Sequence, residues 1–566
     1  MRLFKKVKIV QESEDKEQSE CRISLAYTNF CFYCIINNEK EKTTSMKKYL
    51  ILSCALAASS AFAATVTING SAVSGEAQHN SVVNSNPGDD VVLSVDETLK
   101  NYHFFGKKDN TMKSMSSTAS YIHFFGPYQN GANSGIIDIA AESGEADAMN
   151  FAGKFYMNLA NLKITNSVGG KNATANLKFD IFELWSMAIA PNNQIQSISF
   201  ENVKASVTTA NGAIIGSTGY NYTPNAASIN VAANAEVAWN GAQTVEQNGI
   251  INVMGSYTNA SALTLKKGGQ AIVDSGATYN INAGGTIAGS ITTSGTLNVA
   301  GGTTFSNGAS IDVIDGNVVF ADDTKFGTTA AINISGGTVT ATKDLEFGSI
   351  ISTGGKLVQT TGDGIKIIGN STLSDNGVWD IKNKVQVNGG ASFTLDNSNL
   401  NLSGTNQRFI LVNDGTITLN QMYKTSRAGG AIPIVFTGTK SGTLIIGGDI
   451  SLEFINNIND KVANIVLANE DAVLRLVSVD DTLKFKNDNG LAIFNFRENA
   501  IFVGDSATES ELALVKLYSG MDDSSYIGTA KLVNGWLTAA IPEPAEWAAI
   551  FGGIALAIAV YRRRRA

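Results

Sequence analysis

Tyr279-Asn280-Ile281, Leu297-Asn298-Val299, Ile311-Asp312-Val313, Ile332-Asn333-Ile334 and Val385-Gln386-Val387 are five short phrases built on one pattern, apolar–polar–apolar. Alternation at a period of two turns one apolar face of a strand inward and leaves the middle residue outside. Glycine pairs punctuate this part of the chain, at 268–269, 284–285, 301–302, 336–337, 354–355 and 389–390. Successive pairs lie 16, 17, 35, 18 and 35 residues apart, one or two multiples of about seventeen and a half. Glycine supplies the φ > 0 corners that a coil must make. A quasi-repeat of this length marks a solenoid whose coils bury a shared core. The pattern predicts an all-β fold, a parallel β-helix, from at least Ile251 to Gly404. Hexapeptide periodicity, the mark of the left-handed type, is missing, so a right-handed coil is favoured. Stacked at ~4.8 Å, about nine coils span on the order of 43 Å.

On either side the pattern loosens. Residues 64–250 read as a β-rich N-terminal region and cap, beginning with Thr65-Val66-Thr67-Ile68 and Val91-Val92-Leu93-Ser94-Val95. Two related phrases, Tyr102-His103-Phe104-Phe105-Gly106 and Ile122-His123-Phe124-Phe125-Gly126, are about twenty residues apart and predict successive turns of one structure. The aromatic cluster Phe179-Asp180-Ile181-Phe182-Glu183-Leu184-Trp185 reads as a core strand, with a ledge for sugar rings as the alternative. Residues 405–541 read as further coils merging into a C-terminal cap, since an open solenoid end presents unpaired strands.

Composition fits this reading. The chain has 55 glycines but seven prolines, is 43% hydrophobic and 16% charged, and carries a net charge of −8. Without residues 1–63 and 542–566 the passenger keeps 28 basic against 41 acidic residues, a net −13. Such acidity disfavours nucleic acid as a partner.

The front of the chain holds an export signal, though not at residue 1. Met46-Lys47-Lys48 supplies a charged start, Tyr49 to Ala57 a short apolar run, and Ala61-Phe62-Ala63 an A-x-A cleavage site. Residues 46–63 are therefore read as a signal peptide, cut by signal peptidase after Ala63, with Ala61 and Ala63 as its recognition residues. A signal behind 45 residues is awkward, so 1–45 reads as an extension ahead of a true start at Met46, with Met1 the alternative. Three of the four cysteines lie there, including Cys31-x-x-Cys34, and the fourth, Cys54, lies in the signal. A redox or metal pair at 31 and 34 lacks a second pair, and a lipid-modified Cys54 lacks a long enough apolar run before it. The mature chain then has no cysteine and relies on backbone pairing and packing.

The tail is the most specific segment. Pro542-Glu543-Pro544 precedes an uncharged run from Trp547 to Val560, then Tyr561 and Arg562, Arg563, Arg564 and Arg565. The prolines hold Glu543 in extended, unpaired backbone that a protease can grip. Fourteen helical residues cover roughly 21 Å, short of the ~30 Å hydrocarbon core, and local thinning absorbs such a mismatch. The arginines favour a cytoplasmic end. The expectation is one short transmembrane helix; a buried helix of a soluble domain is the competing reading.

The order Pro-Glu-Pro, helix, basic cluster over residues 542–566 closely resembles the PEP-CTERM sorting signal of Gram-negative bacteria. The resemblance covers about twenty-five residues. It implies processing by an exosortase near Pro542-Glu543-Pro544, and a producer of extracellular polysaccharide or surface matrix. The passenger is similar to those of autotransporters, but the chain ends in a helix rather than in the strands of a membrane barrel.

Chemistry-bearing motifs are few. The carboxylate doublets Asp89-Asp90, Asp322-Asp323, Asp480-Asp481 and Asp522-Asp523 are the candidates for polysaccharide hydrolysis or lysis. Neighbours on a strand face opposite ways, and a doublet in a turn is ordinarily a solvated corner. The histidines are His79, His103 and His123, and a metal pair at the last two has no third ligand in the sequence. No catalytic, cofactor or metal site is assigned. The resulting expectation is an exported, non-enzymatic, adhesin-like structural solenoid at the cell surface or in the matrix, first held in the inner membrane with its C-terminus cytoplasmic. Extracellular polysaccharide is a further candidate partner, and a polysaccharide-acting β-helix enzyme is the alternative.

Overall fold

The computed structural model describes strands between Val7 and Ile36, separate strands between Thr65 and Asn158, and most residues from Asn161 to Arg564. Within that last span, 167–168, 185–195, 217–226, 405–407, 422–432, 479–481, 487 and 541–543 lie outside the described residues, and side chains are described from Leu162 onward. Residues 1–63 and 64–566 are two compact units. In the first, Val7–Gln11, Ser19–Leu25 and Cys31–Ile36 form an antiparallel sheet that sets Cys21 opposite Cys34. The signal-peptide segment 46–63 lies outside the described residues.

The second unit is a parallel β-solenoid with three strands to a coil. One coil runs Gly249–Val253, Ser256–Asn259, Leu263–Leu265, and the next runs Gln270–Val273, Thr278–Ile281, Gly285–Ile287. Each strand pairs in parallel with its counterpart one coil on, so three ladders run the length of the rod. We call them the first, second and third faces in that order. Inward and outward residues alternate strictly: Thr296–Val299 and Ser310–Val313 bury every second side chain. The lumen is filled by Ile, Val and Leu, with aromatic stacks among them. Phe305 and Phe326 stack with centroids 4.9 Å apart, and Trp379 lies on Phe393 at 4.8 Å. Each such side chain, removed from water, contributes about 1.5–3 kcal/mol.

The coil is longer than the glycine spacing predicts. On the first face Ile251, Ala271, Ile291 and Ile311 stand in register at steps of 20 residues. Between Gly249 and Leu402 the steps on all faces run from 18 to 22. The pairs 284–285 and 301–302 do occupy one corner in consecutive coils, as do 336–337 and 354–355. The intervals of 16 and 35 instead compare different corners. Where glycine is required, the geometry is explicit. Gly337 and Gly355 have φ of 65° and 60°, and a Cβ on Gly355 would lie 2.4 Å from the Gly336 carbonyl oxygen.

The solenoid also reaches well beyond 251–404. Leu162, Ile198 and Ile229 continue the first face toward the N-terminus at steps of 36 and 31. Ile417, Leu444, Ile465 and Ile493 continue it toward the C-terminus. The two His-Phe-Phe phrases are not successive turns of one ladder. Asn101–Phe105 pairs with Ser134–Asp138, whereas Tyr121–Phe125 pairs with Asp90–Ser94 and with Asp147–Asn158. A spacing near one coil length coincides here with strands of different sheets.

The C-terminal end is closed by a change of direction. Tyr526–Val533 pairs antiparallel with Val515–Tyr518 on the first face and with Trp536–Ala539, which meets Phe502 of the second. The short helix Glu509–Leu512, opened by a reciprocal Thr508–Glu511 capping box, packs near the last third-face strand, Leu483–Phe485.

Candidate functional site

The tail carries most of the residues to which the sequence gives a role. Pro544 opens a helix, Pro544–Arg563, at the position where proline's missing N–H costs nothing. Arg562 and Arg563 form its last turn and Arg564 follows, its amide donating to the Val560 carbonyl at 3.1 Å. Ile554, Leu556, Ile558 and Val560 are each about half exposed or more, so this apolar helix is not tucked into the rod. No helix among the described residues is long and apolar enough to cross a membrane. Pro542, Glu543 and Arg565, like Ala61 and Ala63, lie outside the described residues.

The candidate chemistry resolves into corners. Asp323 sits at φ 63° and Asp322 accepts from Lys343 Nζ of the next coil at 2.5 Å. That hydrogen bond, and the charge behind it, hold the Asp322 carboxyl below its ordinary range. Asp522 caps a 3-10 turn, accepting from the Ser525 amide at 3.0 Å. Both described doublets are thus occupied as turn residues. Asp480 and Asp481 lie outside the described residues, as do His79 and Asp89, while the side chains of Asp90, His103 and His123 are not described. Among the described residues no three His, Cys, Asp or Glu side chains converge as a metal would require. Phe179, Phe182 and Leu184 are buried in the core, the ring of Phe182 edge-on to Trp239 at 5.2 Å, so these three side chains are core packing. Trp185 lies outside the described residues.

The outer faces carry ladders of amides and hydroxyls. Asn298 Nδ2 donates to Asn280 Oδ1 at 2.7 Å, and Asn280 Nδ2 to Thr258 Oγ1 at 3.0 Å, which links three consecutive coils. Similar rungs join Asn252 to Asn230, Asn333 to Asp312 and Asn401 to Asp380. On the third face Thr244, Thr264, Thr286 and Thr304 stand directly over one another. These are the middle residues of the apolar–polar–apolar phrases. They stitch coil to coil outside, as the lumen does inside.

One stretch of the lumen is polar. Gln243 Nε2 donates to the Tyr257 hydroxyl at 2.6 Å, the Tyr279 hydroxyl donates to Asn259 Oδ1 at 2.7 Å, and Asn259 Nδ2 bonds Gln243 Oε1. All four side chains are buried. Burial pushes both phenols well above their ordinary pKa, so both stay protonated. The sequence holds the signal for this network, polar residues at inward positions, but it is visible only once the register is known. At the nearby corner Glu246 pairs with Lys266 at 2.5 Å.

The cap gathers aromatic and cationic groups. Phe494, Tyr518 and Tyr526 run in a row along the first face, at 4.9 and 5.5 Å between centroids. On the second face Arg475 lies 5.9 Å over Trp536 and pairs with Asp449. No family model, curated protein or solved structure matches the chain.

Proposed function

We propose that the protein is an exported, surface-displayed structural rod, sorted through its C-terminal Pro542-Glu543-Pro544 signal and attached to a membrane by the helix that follows. The observation that carries this reading is the exposed apolar flank of Pro544–Arg563, closed by arginines and beginning five residues after the last strand of the solenoid. An apolar helix left outside the core calls for an apolar solvent. Its length fits a thinned bilayer or a shallow, tilted seat better than an untroubled span. The rod supplies reach and rigidity, coiled in the right-handed sense expected of parallel crossovers. The amide, hydroxyl and carboxylate ladders give it a polar, hydrated exterior suited to adhesion or to a place in a matrix of extracellular polysaccharide. Signal peptidase would act at Ala61-Phe62-Ala63 and an exosortase near Pro542-Glu543-Pro544, in the envelope of a Gram-negative bacterium.

The test is fractionation with C-terminal peptide mapping, in cells with and without the exosortase. Loss of Trp547 to Ala566 in the strain with the enzyme alone supports sorting. An intact C-terminus in both strains, on a soluble cytoplasmic protein, removes the proposal.

A further inference from the structure

Single exposed apolar side chains are ordinary on a protein surface, and a cluster of them is not. Among the described residues of the coils, exposed large apolar side chains stand far apart in sequence, at Ile214, Met254, Ile314, Ile351, Ile458 and Val477. In the cap, four fall within thirteen residues. Met521 is 61% exposed, Tyr526 48%, Ile527 40% and Val533 47%. Three of them belong to Tyr526–Val533, the outermost strand of the terminal layer on both faces it joins. Met521 lies in the turn that leads into it, its sulfur 3.5 Å from Asn495 Nδ2.

Ile527 and Val533 share one side of that strand, and the exposed side chains flank the outer edge of the terminal layer. The last strand ends at Ala539 and the apolar helix begins at Pro544. Five residues, fully extended, reach about 18 Å at most. The start of the helix therefore lies within that distance of the end of the rod, and Ile554 about 15 Å further along it. A flexible stalk would keep the cap away from the helix, and the chain has no room for one.

We propose that the cap is a second membrane contact, with Met521, Tyr526, Ile527 and Val533 settling into the headgroup boundary of the bilayer that receives the helix. This rests on the reading of the helix as membrane-bound, and adds that the rod stands on the surface through its own terminal layer. Tyrosine suits such a boundary because its ring is apolar and its hydroxyl stays wet. Charge does not favour the contact strongly, since the exposed Lys531 on the strand is offset by Asp522 and Asp523 in the turn. Binding through the cap is therefore apolar, and little changed by salt or by anionic lipid.

The experiment uses the full chain with Trp185→Phe and Trp547→Phe, so that Trp536 reports on the cap. Trp536 is paired in register with Val533, and Trp239 and Trp379 are sealed in the lumen. The protein is floated with vesicles of phosphatidylcholine, or of an equal mixture with phosphatidylglycerol, and quenched with brominated acyl chains. Expected are quenching of Trp536 in both mixtures, and a loss of affinity of about tenfold when Met521, Tyr526, Ile527 and Val533 are all changed to Ser. Because Tyr526 also packs against Tyr518, the double variant Met521→Ser with Ile527→Ser guards against a misfolded cap, and a smaller drop is expected from it. Flotation with Trp536 unquenched and affinity unchanged in both variants overturns the cap contact and leaves the helix reading standing. Failure of the unmutated cap to float at all overturns both. Self-association without lipid that the serine changes abolish assigns the cluster to a second copy and also overturns the proposal.

Discussion

Between Gly249 and Leu402 each coil copies the one before at 18 to 22 residues, whereas from Phe409 to Phe502 the step lengthens to between 21 and 28. The middle coils turn on short corners in which glycine, asparagine or aspartate takes a positive φ. The later coils carry longer corners, and buried asparagines replace the backbone partners that a short corner would provide. Asn457 Nδ2 donates to the carbonyls of Lys461, Asn489 and Gly490, and its Oδ1 accepts from the Asn459 amide at 3.1 Å. Asn489 Nδ2 returns a bond to the Asn459 carbonyl at 3.1 Å. Repetition can hold the middle because every coil has a like neighbour on both sides. The end has a neighbour on one side only, so its side chains must close it.

The largest effect is expected where a middle coil loses volume. Trp379 is fully buried against Phe393, and its indole N–H has no partner. Trp379→Ala should cost about 3–5 kcal/mol, read as a lower urea midpoint. Trp379→Phe should cost much less, because it also removes the unpaired N–H. In a one-dimensional stack the loss falls first on adjacent coils, so hydrogen exchange should rise on both sides of 379 before it rises at 200 or 500. A uniform rise would show that the rod unfolds as one unit, and that the distinction between middle and end has no energetic meaning.

Next comes the end. Asn457→Ala strips donors from three carbonyls at once and should cost about 1–3 kcal/mol. The comparison predicts where this appears: faster exchange from 457 to 502 with the Ile291 and Ile311 coils unchanged. Equal loosening of the middle would mean that the asparagine corner is not a local closure.

A third prediction concerns the polar lumen. Tyr279→Phe leaves Asn259 Oδ1 buried without its donor, at about 1–2 kcal/mol. Gln243→Leu should be worse, because it orphans both Tyr257 and Asn259. If Tyr279→Phe proves neutral by chemical denaturation, the network is not holding those coils in register.

How much of this the residues announced differs along the chain for the same reason. Alternation such as Ile311-Asp312-Val313 made strand and face legible, because those follow from a period of two, and the recurrence of such phrases pointed to stacked coils. Coil length did not follow, since the glycine pairs at 268–269 and 284–285 stand at different corners and look alike in sequence. Ile198 and Ile229 belong to one ladder, but the step of 31 between them breaks the phase. Asn259 and Asn280 are both asparagines in strands, yet one faces inward and one outward, and only register distinguishes them. At the tail, the uncharged run and its arginines were legible as a helix, and the exposure of its apolar side chains agrees with a segment outside the core. The cap cluster was not legible, because Met521, Tyr526, Ile527 and Val533 have the same composition as residues meant for burial.

The smallest effect expected is electrostatic, and it tests whether outer ladders matter at all. Burial alone would raise the Asp380 pKa, but hydrogen bonds from Lys356 and Asn401 outweigh it and hold the carboxyl below its ordinary value. A depressed folded-state pKa contributes stability that is present above the unfolded carboxylate value, near pH 4, and is lost as pH falls through the folded value. Lys356→Met should therefore destabilise by less than about 1 kcal/mol at neutral pH, and the gap between variant and wild type should narrow as the solution is acidified. A gap that persists at acid pH would mean that Lys356 acts through the packing of its stem over the second face and not through its charge.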